Sequence, residues 1–232
     1  LATDEMGHLW LQLLPVKDGD QRPILQEALM RRRLEKYPGD FTANFTLGDV
    51  LLSRGDAGGA VPYFQLASKA EPHSALAATE LGVALVTAAR FPEAARQFQR
   101  ALELDPKFTD ARFDLASVQA ENGDLQSAAS KFQQVIAEKP EHEKARRHLG
   151  EVLYMWGDQL AKSGNVPDAA LRYREALAYR ASDAELHTSL GMALARLGRF
   201  DEAQPEFEAA VQIDPNFQPA KKALAAIQAR SR

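Results

Sequence analysis

Cysteine is absent from the 232-residue chain. Without thiols the chain cannot form disulfides, thiolate metal sites or cysteine nucleophiles, although this absence leaves the redox compartment undecided. No apolar run approaches the roughly 18 residues that a helix needs to cross a bilayer. The formal net charge is −4, so the composition gives no indication of a nucleic-acid-binding surface.

The start of the chain lacks the charged, apolar and small-residue pattern of a signal peptide. Because the chain begins with Leu1 rather than Met, we expect a processed product or a piece of something larger, with its compartment unknown. Apolar residues make up 45% of the sequence and charged residues 26%. This composition is typical of a soluble globular protein and argues against long disorder.

A repeat with a period of about 34 residues runs through the sequence when Phe41 is counted as position 1. Position 8 is small, position 20 is Ala, position 24 is aromatic and position 32 is Pro in three successive units. The residues at these positions are Gly48, Gly82 and Ala116, then Ala60, Ala94 and Ala128, then Phe64, Phe98 and Phe132, and finally Pro72, Pro106 and Pro140. Two further units follow, from Leu149-Gly150 and from Leu190-Gly191.

Each unit predicts two helices separated by a turn. Ala94, Phe98 and Ala101 lie on one stripe of a helix, and Leu81 and Leu85 have helical spacing on another. Glycines end the first helices, while prolines lie near the starts of some second helices and after their ends. One unit cannot bury its apolar face alone, so the units must stack.

The pattern resembles the tetratricopeptide repeat (TPR) family. The resemblance implies an all-α, right-handed α-solenoid of stacked helix-turn-helix repeats with a C-terminal capping helix. The implied units are a degenerate N-terminal unit at 1–40, repeats at 41–74, 75–108, 109–142, 143–183 and 184–217, and a capping helix at 218–232.

The repeat at 143–183 contains seven extra residues. Leu149-Gly150-x-x-Leu153 recurs seven residues later as Trp156-Gly157-x-x-Leu160, which places both sets on nearly one helix face. One long helix over about 143–163 would satisfy both neighbouring repeats, with Trp156 buried. The alternative ends the helix at Gly157 and places the insertion in a loop.

Motifs for catalysis are missing. The sequence contains no HExxH, phosphate loop, nucleophile elbow or dinucleotide fingerprint. His142 and His148 are a weak metal candidate, and Arg31-Arg32-Arg33 is better explained as a solvated helix face than as a nucleic-acid site. We therefore expect no enzymatic activity, no cofactor and no metal in this chain.

In this family the first helices of successive repeats line the concave face, so the resemblance implies a peptide-binding groove there. Its candidate residues are Phe45, Asp49, Leu52, Thr79, Val83, Val86, Phe113, Ser117, Arg147, Glu151, Tyr154, Met155 and Met192. The same positions of the last repeat also include Glu185, Thr188 and Arg196. The alternative is that superhelical packing buries some of these side chains.

The acidic residues of this face favour one kind of partner. Some family members clamp a chaperone's terminal carboxylate with Lys, Asn and Arg, but the matching positions here are Phe45, Asp49, Glu80, Asp110 and Asp114. We expect a protein or peptide with apolar anchors and basic flanks, because such flanks complement the carboxylates.

The sequence thus predicts a non-catalytic scaffold for protein–protein interaction. Two alternatives stay open at this point: the repeat region of a larger multidomain enzyme, and a self-assembly module. In the second alternative, a homo-oligomer would form through the N-terminal segment Leu9-Trp10-Leu11-Gln12-Leu13-Leu14.

Overall fold

The computed structural model describes residues 22–230. Within this range the chain forms twelve helices and no strand, which confirms the all-α prediction. The chain divides into two compact units, the first ending at Ala111 and the second beginning at Arg112. The division falls inside helix α6.

The helices of the first unit are α1 (Arg22–Lys36), α2 (Phe41–Ser53), α3 (Ala57–Ala70), α4 (Ala75–Thr87) and α5 (Phe91–Leu104), followed by α6 (Thr109–Glu121) at the division. The helices of the second unit are α7 (Leu125–Glu138), α8 (Glu143–Lys162), α9 (Val166–Leu177), α10 (Ala184–Arg196), α11 (Phe200–Ile213) and α12 (Gln218–Arg230). Helix α12 packs against α11 and α10, at the place expected for a capping helix. The Leu9–Leu14 segment lies outside the described residues.

Side-chain caps define where many helices begin. Asp40, Ser74 and Asp183 accept hydrogen bonds from the backbone N–H three residues further on, at 2.8, 3.2 and 3.0 Å. His142 caps α8 through Nδ1, which accepts from the Ala145 N–H at 3.1 Å. These bonds satisfy donors that the first turn of a helix leaves free, so they fix the helix starts.

Close contact between a glycine and an aromatic ring joins the two helices of a repeat. A Cβ atom on Gly48 would lie 2.7 Å from the Phe64 ring, and one on Gly82 would lie 2.5 Å from the Phe98 ring. Gly191 faces Phe207 in the same way, at 2.7 Å. The three phenylalanines are at most 1% exposed, so these rings fill the space that the missing side chain leaves.

Helix α8 runs without a break from Glu143 to Lys162, through the seven extra residues. Gly157 packs on Tyr173 of α9, as the other glycines pack on phenylalanines. A Cβ atom on Gly157 would lie 2.6 Å from the Tyr173 ring. Gly150 instead lies under the residues after α9, 2.9 Å from Tyr179 Cβ. The prediction of one long helix is therefore correct.

The expectation that Trp156 is buried is wrong. Its side chain is only partly buried, and the Arg172 guanidinium lies over its ring at 4.4 Å from the centroid. Seven residues are almost two full turns, and Gly157 takes the inward direction. Trp156 is one residue away from Gly157 and is therefore turned toward the side of the helix pair.

The first helices of five repeats end in a left-handed residue at the same repeat position. Glycine occupies this position four times, at Gly55, Gly123, Gly164 and Gly198, with φ between 76° and 87°. Ala89 occupies the equivalent position after α4 with φ 57°. A Cβ atom makes this conformation costly, so Ala89 stores local strain.

Replacing Gly82 with Val should lower the free energy of unfolding by about 1–3 kcal/mol, because the new side chain overlaps the buried Phe98 ring. Urea denaturation measures the change. Gly39→Ala is the matched control, since a Cβ atom there meets nothing within 4 Å. Equal effects of the two substitutions would refute the glycine–aromatic contact.

Replacing Ala89 with Gly should raise the free energy of unfolding by about 1 kcal/mol, because it relieves the left-handed strain. Ala88→Gly is the control on the neighbouring residue, whose φ is −84°. That control should be neutral or destabilising. A destabilised Ala89→Gly protein in thermal unfolding would contradict the assigned backbone conformation.

Candidate functional site

Most predicted groove residues keep part of their side chains accessible. Asp49, Arg147, Glu151, Met155 and Met192 are exposed, with Met155 and Met192 exposed by 49% and 48%. The half-buried members are Phe45, Leu52, Val83, Val86, Phe113, Ser117 and Tyr154.

Thr79 is a correction to the predicted groove. It is only 4% exposed, and its hydroxyl donates to the Ala75 carbonyl oxygen at 2.9 Å. Thr188, at the corresponding position of α10, is equally buried and donates to Ala184 O at 2.7 Å. A threonine hydroxyl that bonds back to its own helix can be buried at little cost, and this position faces the helix packing.

Carboxylates come together on the first helices of the first unit. Burial raises the pKa of Glu80 on α4, and the negative charges of Asp49 and Asp110 raise it further. Burial also raises the pKa of Asp49 on α2. Their mutual repulsion makes this surface favourable for a positively charged group.

Apolar side chains lie on the same helices as these carboxylates. The ring of Phe45 packs edge-on against Phe64 at 5.6 Å and lies 5.4 Å from Phe41. Leu52, Val83 and Val86 are half-buried. The helices α2 and α4 therefore present half-buried apolar groups together with acidic ones. We call Phe45, Asp49, Leu52, Glu80, Val83 and Val86 the acidic strip.

In the second unit an aromatic cluster surrounds Phe113. Its ring stacks on His142 at 5.1 Å and meets Phe132 and His148 at 5.5 Å each. Phe113 is partly buried, so these ring contacts give it a packing role. Ser117 bonds back to the Phe113 carbonyl at 3.0 Å.

The long helix α8 carries a mixed polar surface. Arg147 and Glu151 approach each other at 3.9 Å while remaining exposed. Tyr154 is half-buried under the Arg180 guanidinium, which lies 5.3 Å from its ring centroid. Burial raises the pKa of the Tyr154 hydroxyl, so this phenol is neutral at physiological pH and can both donate and accept hydrogen bonds.

A cavity of about 410 Å³ opens between α8, α9 and α10. Its polar lining includes Asp158, Lys162, Tyr173, Ser189 and Arg196. The Tyr173 hydroxyl donates to Asp158 Oδ1 at 2.6 Å, and burial together with this bond raises the pKa of the phenol. Asp158 is thus already engaged within the cavity wall.

A second cavity, of about 470 Å³, lies between α10, α11 and α12. Its lining is mainly apolar, and it comprises Met192, Ala195, Arg196, Phe200, Phe207, Ala223, Ala226 and Ile227. Met192 and Arg196 line both cavities. The two cavities are repeat-related, because Asp158, Tyr173 and Ser189 each lie one repeat period before Met192, Phe207 and Ala223.

Sequence reasoning missed several of these residues. Asp158, Lys162, Tyr173 and Ser189 were not among the predicted groove residues. The signal that could have found Asp158 and Lys162 is the restored repeat register after the insertion, which places them one period before Met192 and Arg196.

Residues 22–230 contain neither a cluster of metal-ligating side chains nor a helix suited to span a membrane. No group of three or more His, Asp or Glu side chains in this range could hold a metal ion. None of the helices in the same range has the length and apolar character required to cross a membrane.

Helical hairpins of this kind, joined by a glycine–aromatic contact, define a class of repeat proteins that serve as interaction scaffolds. The family described as tetratricopeptide repeat matches residues 25–75, 79–143, 120–158 and 154–216. The chain belongs to the tetratricopeptide repeat family. No curated protein sequence matches it.

Solved structures share the fold at low identity. YrrB, described as a TPR protein with an unusual peptide-binding site, is 18% identical, with a TM-score of 0.60 over 84% of this chain and 96% of YrrB. A MamA structure is 22% identical, with a TM-score of 0.57 over 75% of this chain and 92% of MamA. MamA from Desulfovibrio magneticus RS-1 is 16% identical, with a TM-score of 0.52, and covers 83% of this chain and 97% of its own.

Replacing Glu80 with Gln should increase the free energy of unfolding at pH 7. A carboxyl whose pKa is raised in the folded state binds more protons folded than unfolded, so its ionisation destabilises the fold as pH rises. The gain should disappear below about pH 4, where the carboxyls are protonated. Urea denaturation at several pH values measures this, and a pH-independent gain would contradict the proposed charge repulsion.

Proposed function

We propose that this chain is a non-catalytic scaffold whose acidic strip binds a partner segment with apolar anchors and basic flanks. The proposal rests mainly on one observation: Asp49 and Glu80 lie on the same two helices as half-buried apolar side chains. Membership of the tetratricopeptide repeat family supports the scaffold role.

Two physical properties of α2 and α4 support the proposal: their negative charge and the apolar area that stays accessible on them. Phe64 and Phe98 are fully buried within their helix pairs, so the second helices supply the packing. Val83, Val86 and Leu52 keep accessible area on the first helices. A Lys or Arg beside Glu80 would relieve the repulsion from Asp49 and Asp110, and an apolar neighbour would cover these side chains.

Selection from a random dodecamer display library tests this proposal. The intact chain should enrich sequences that combine Lys or Arg with Leu, Phe or Met. The Asp49→Asn/Glu80→Gln variant should lose the basic preference and bind the selected basic peptides at least fivefold more weakly.

The matched control is Glu71→Gln/Glu103→Gln, which changes the net charge equally at positions outside the strip. This control should retain the selected binding. Enrichment without basic residues, or an equal loss in both double variants, would overturn the proposal.

A further inference from the structure

The second unit contains a binding site of opposite charge preference. We propose that the two repeat-related cavities beside Met192 bind a peptide segment in which a large apolar residue neighbours an Asp or Glu. The apolar residue enters the cavity between α10, α11 and α12, and the carboxylate faces Arg196 and Lys162. This inference rests on the scaffold role but not on the acidic strip.

The apolar cavity has the chemistry of an anchor pocket. Phe207 lines the cavity and is 1% exposed, and Phe200 and Ile227 contribute further apolar surface to the lining. Ala195, Ala223 and Ala226 leave the cavity open because their side chains are short. The cavity volume of about 470 Å³ exceeds what one Leu, Met or Phe side chain requires. Burial of that apolar side chain provides the main driving force for peptide binding.

The cations at the cavity mouth determine the charge of the occupant. Arg196 is exposed, and its Nη1 makes only a long hydrogen bond of 3.4 Å to the Ala161 carbonyl. Neither Arg196 nor Lys162 forms an ion pair with any residue in the described part of the chain. The two therefore keep most of their donors available for an acidic partner.

Asp158 does not cancel this preference. Its carboxylate accepts the Tyr173 hydroxyl at 2.6 Å, so it is held in the cavity wall. Two cations and one carboxylate leave a net positive charge on the lining of the cavity between α8, α9 and α10. A basic flank of the kind that suits the acidic strip is disfavoured here, which separates the two sites by charge.

The repeat explains why the cavity between α8, α9 and α10 has more polar groups in its lining than the cavity between α10, α11 and α12. A shift of one repeat period replaces Asp158 with Met192, Tyr173 with Phe207 and Ser189 with Ala223. The cation is retained, because Lys162 corresponds to Arg196. Adjacent cavities with different linings and a shared Arg196 fit a segment whose apolar and acidic residues are close in sequence.

The test starts from the full chain carrying Asp49→Asn/Glu80→Gln, so that the acidic strip does not dominate a selection from the random dodecamer library. Enriched peptides should pair Leu, Met or Phe with Asp or Glu. Arg196→Glu should weaken the best peptide about tenfold, and Ala226→Trp should do the same by filling the apolar cavity. Ala225→Trp, exposed on the same helix but outside the lining, should leave binding unchanged.

Methyl-¹³C-methionine spectra place the peptide independently. The chain has four methionines, of which Met192 lies between the cavities, Met155 is equally exposed elsewhere and Met30 is buried in the first unit. The selected peptide should shift the Met192 methyl signal and leave Met155 and Met30 in place.

Three results would overturn the proposal: peptides without an acidic residue, equal losses in Ala226→Trp and Ala225→Trp, or an unmoved Met192 signal. A dimer in sedimentation that Ala226→Trp converts to monomer would also overturn it, because a second copy would then occupy the cavity. If this proposal fails, the proposal for the acidic strip still stands, because that site is tested separately by the Asp49 and Glu80 substitutions.

Discussion

The contact on which this structure depends is the close approach of a glycine on one helix to an aromatic ring on the next. Gly48, Gly82, Gly157 and Gly191 leave no room for a Cβ atom beside Phe64, Phe98, Tyr173 and Phe207. Van der Waals contact over a buried ring stabilises each hairpin, and the absent side chain lets the two helices lie close together. Four of the five repeats restore this contact, whereas the repeat at 109–142 has Ala116 at the glycine position.

This contact also determines which helix positions can vary from repeat to repeat. The second helix of each hairpin contributes its aromatic ring to the interior. The aromatic residue that recurs on this helix therefore has a structural role. The first helix contributes glycine and keeps the neighbouring positions free to vary. Within the separate units these positions carry Asp49 and Glu80 in one case, and Asp158, Met192 and Arg196 in the other. The two proposed binding sites therefore differ in chemistry although they are built from the same kind of hairpin.

The insertion in α8 illustrates how much the sequence could predict. The spacing of Gly150 and Gly157 predicts an unbroken helix because seven residues return nearly to the same face, and the helix is present. The direction of Trp156 was predicted wrongly, because helical periodicity alone does not say which of two adjacent residues faces inward. The buried state of Thr79 was missed for a related reason, since a bond to its own helix hides its hydroxyl.

The two cavities could not be predicted from the sequence, because they are spaces that the side chains of neighbouring helices leave unfilled. Ala195 and Ala223 have ordinary helical spacing, and nothing local shows that Phe207 lies beneath the space beside them. By contrast, the sequence places Asp49, Glu80 and Asp110 on one face although they belong to three repeats, and their charges do interact. Periodicity identifies the helix that carries a residue, whereas packing decides whether the residue borders a cavity.

Hydrogen exchange by mass spectrometry on the intact chain, with and without a saturating library-selected peptide, tests the central claim most directly. The claim is that the first-helix face is the working surface. The account predicts slower exchange in the first helices α2 and α4 for basic peptides, and in the first helices α8 and α10 together with the capping helix α12 for acidic ones. Protection confined to the second helices α3, α5, α9 and α11 would contradict it.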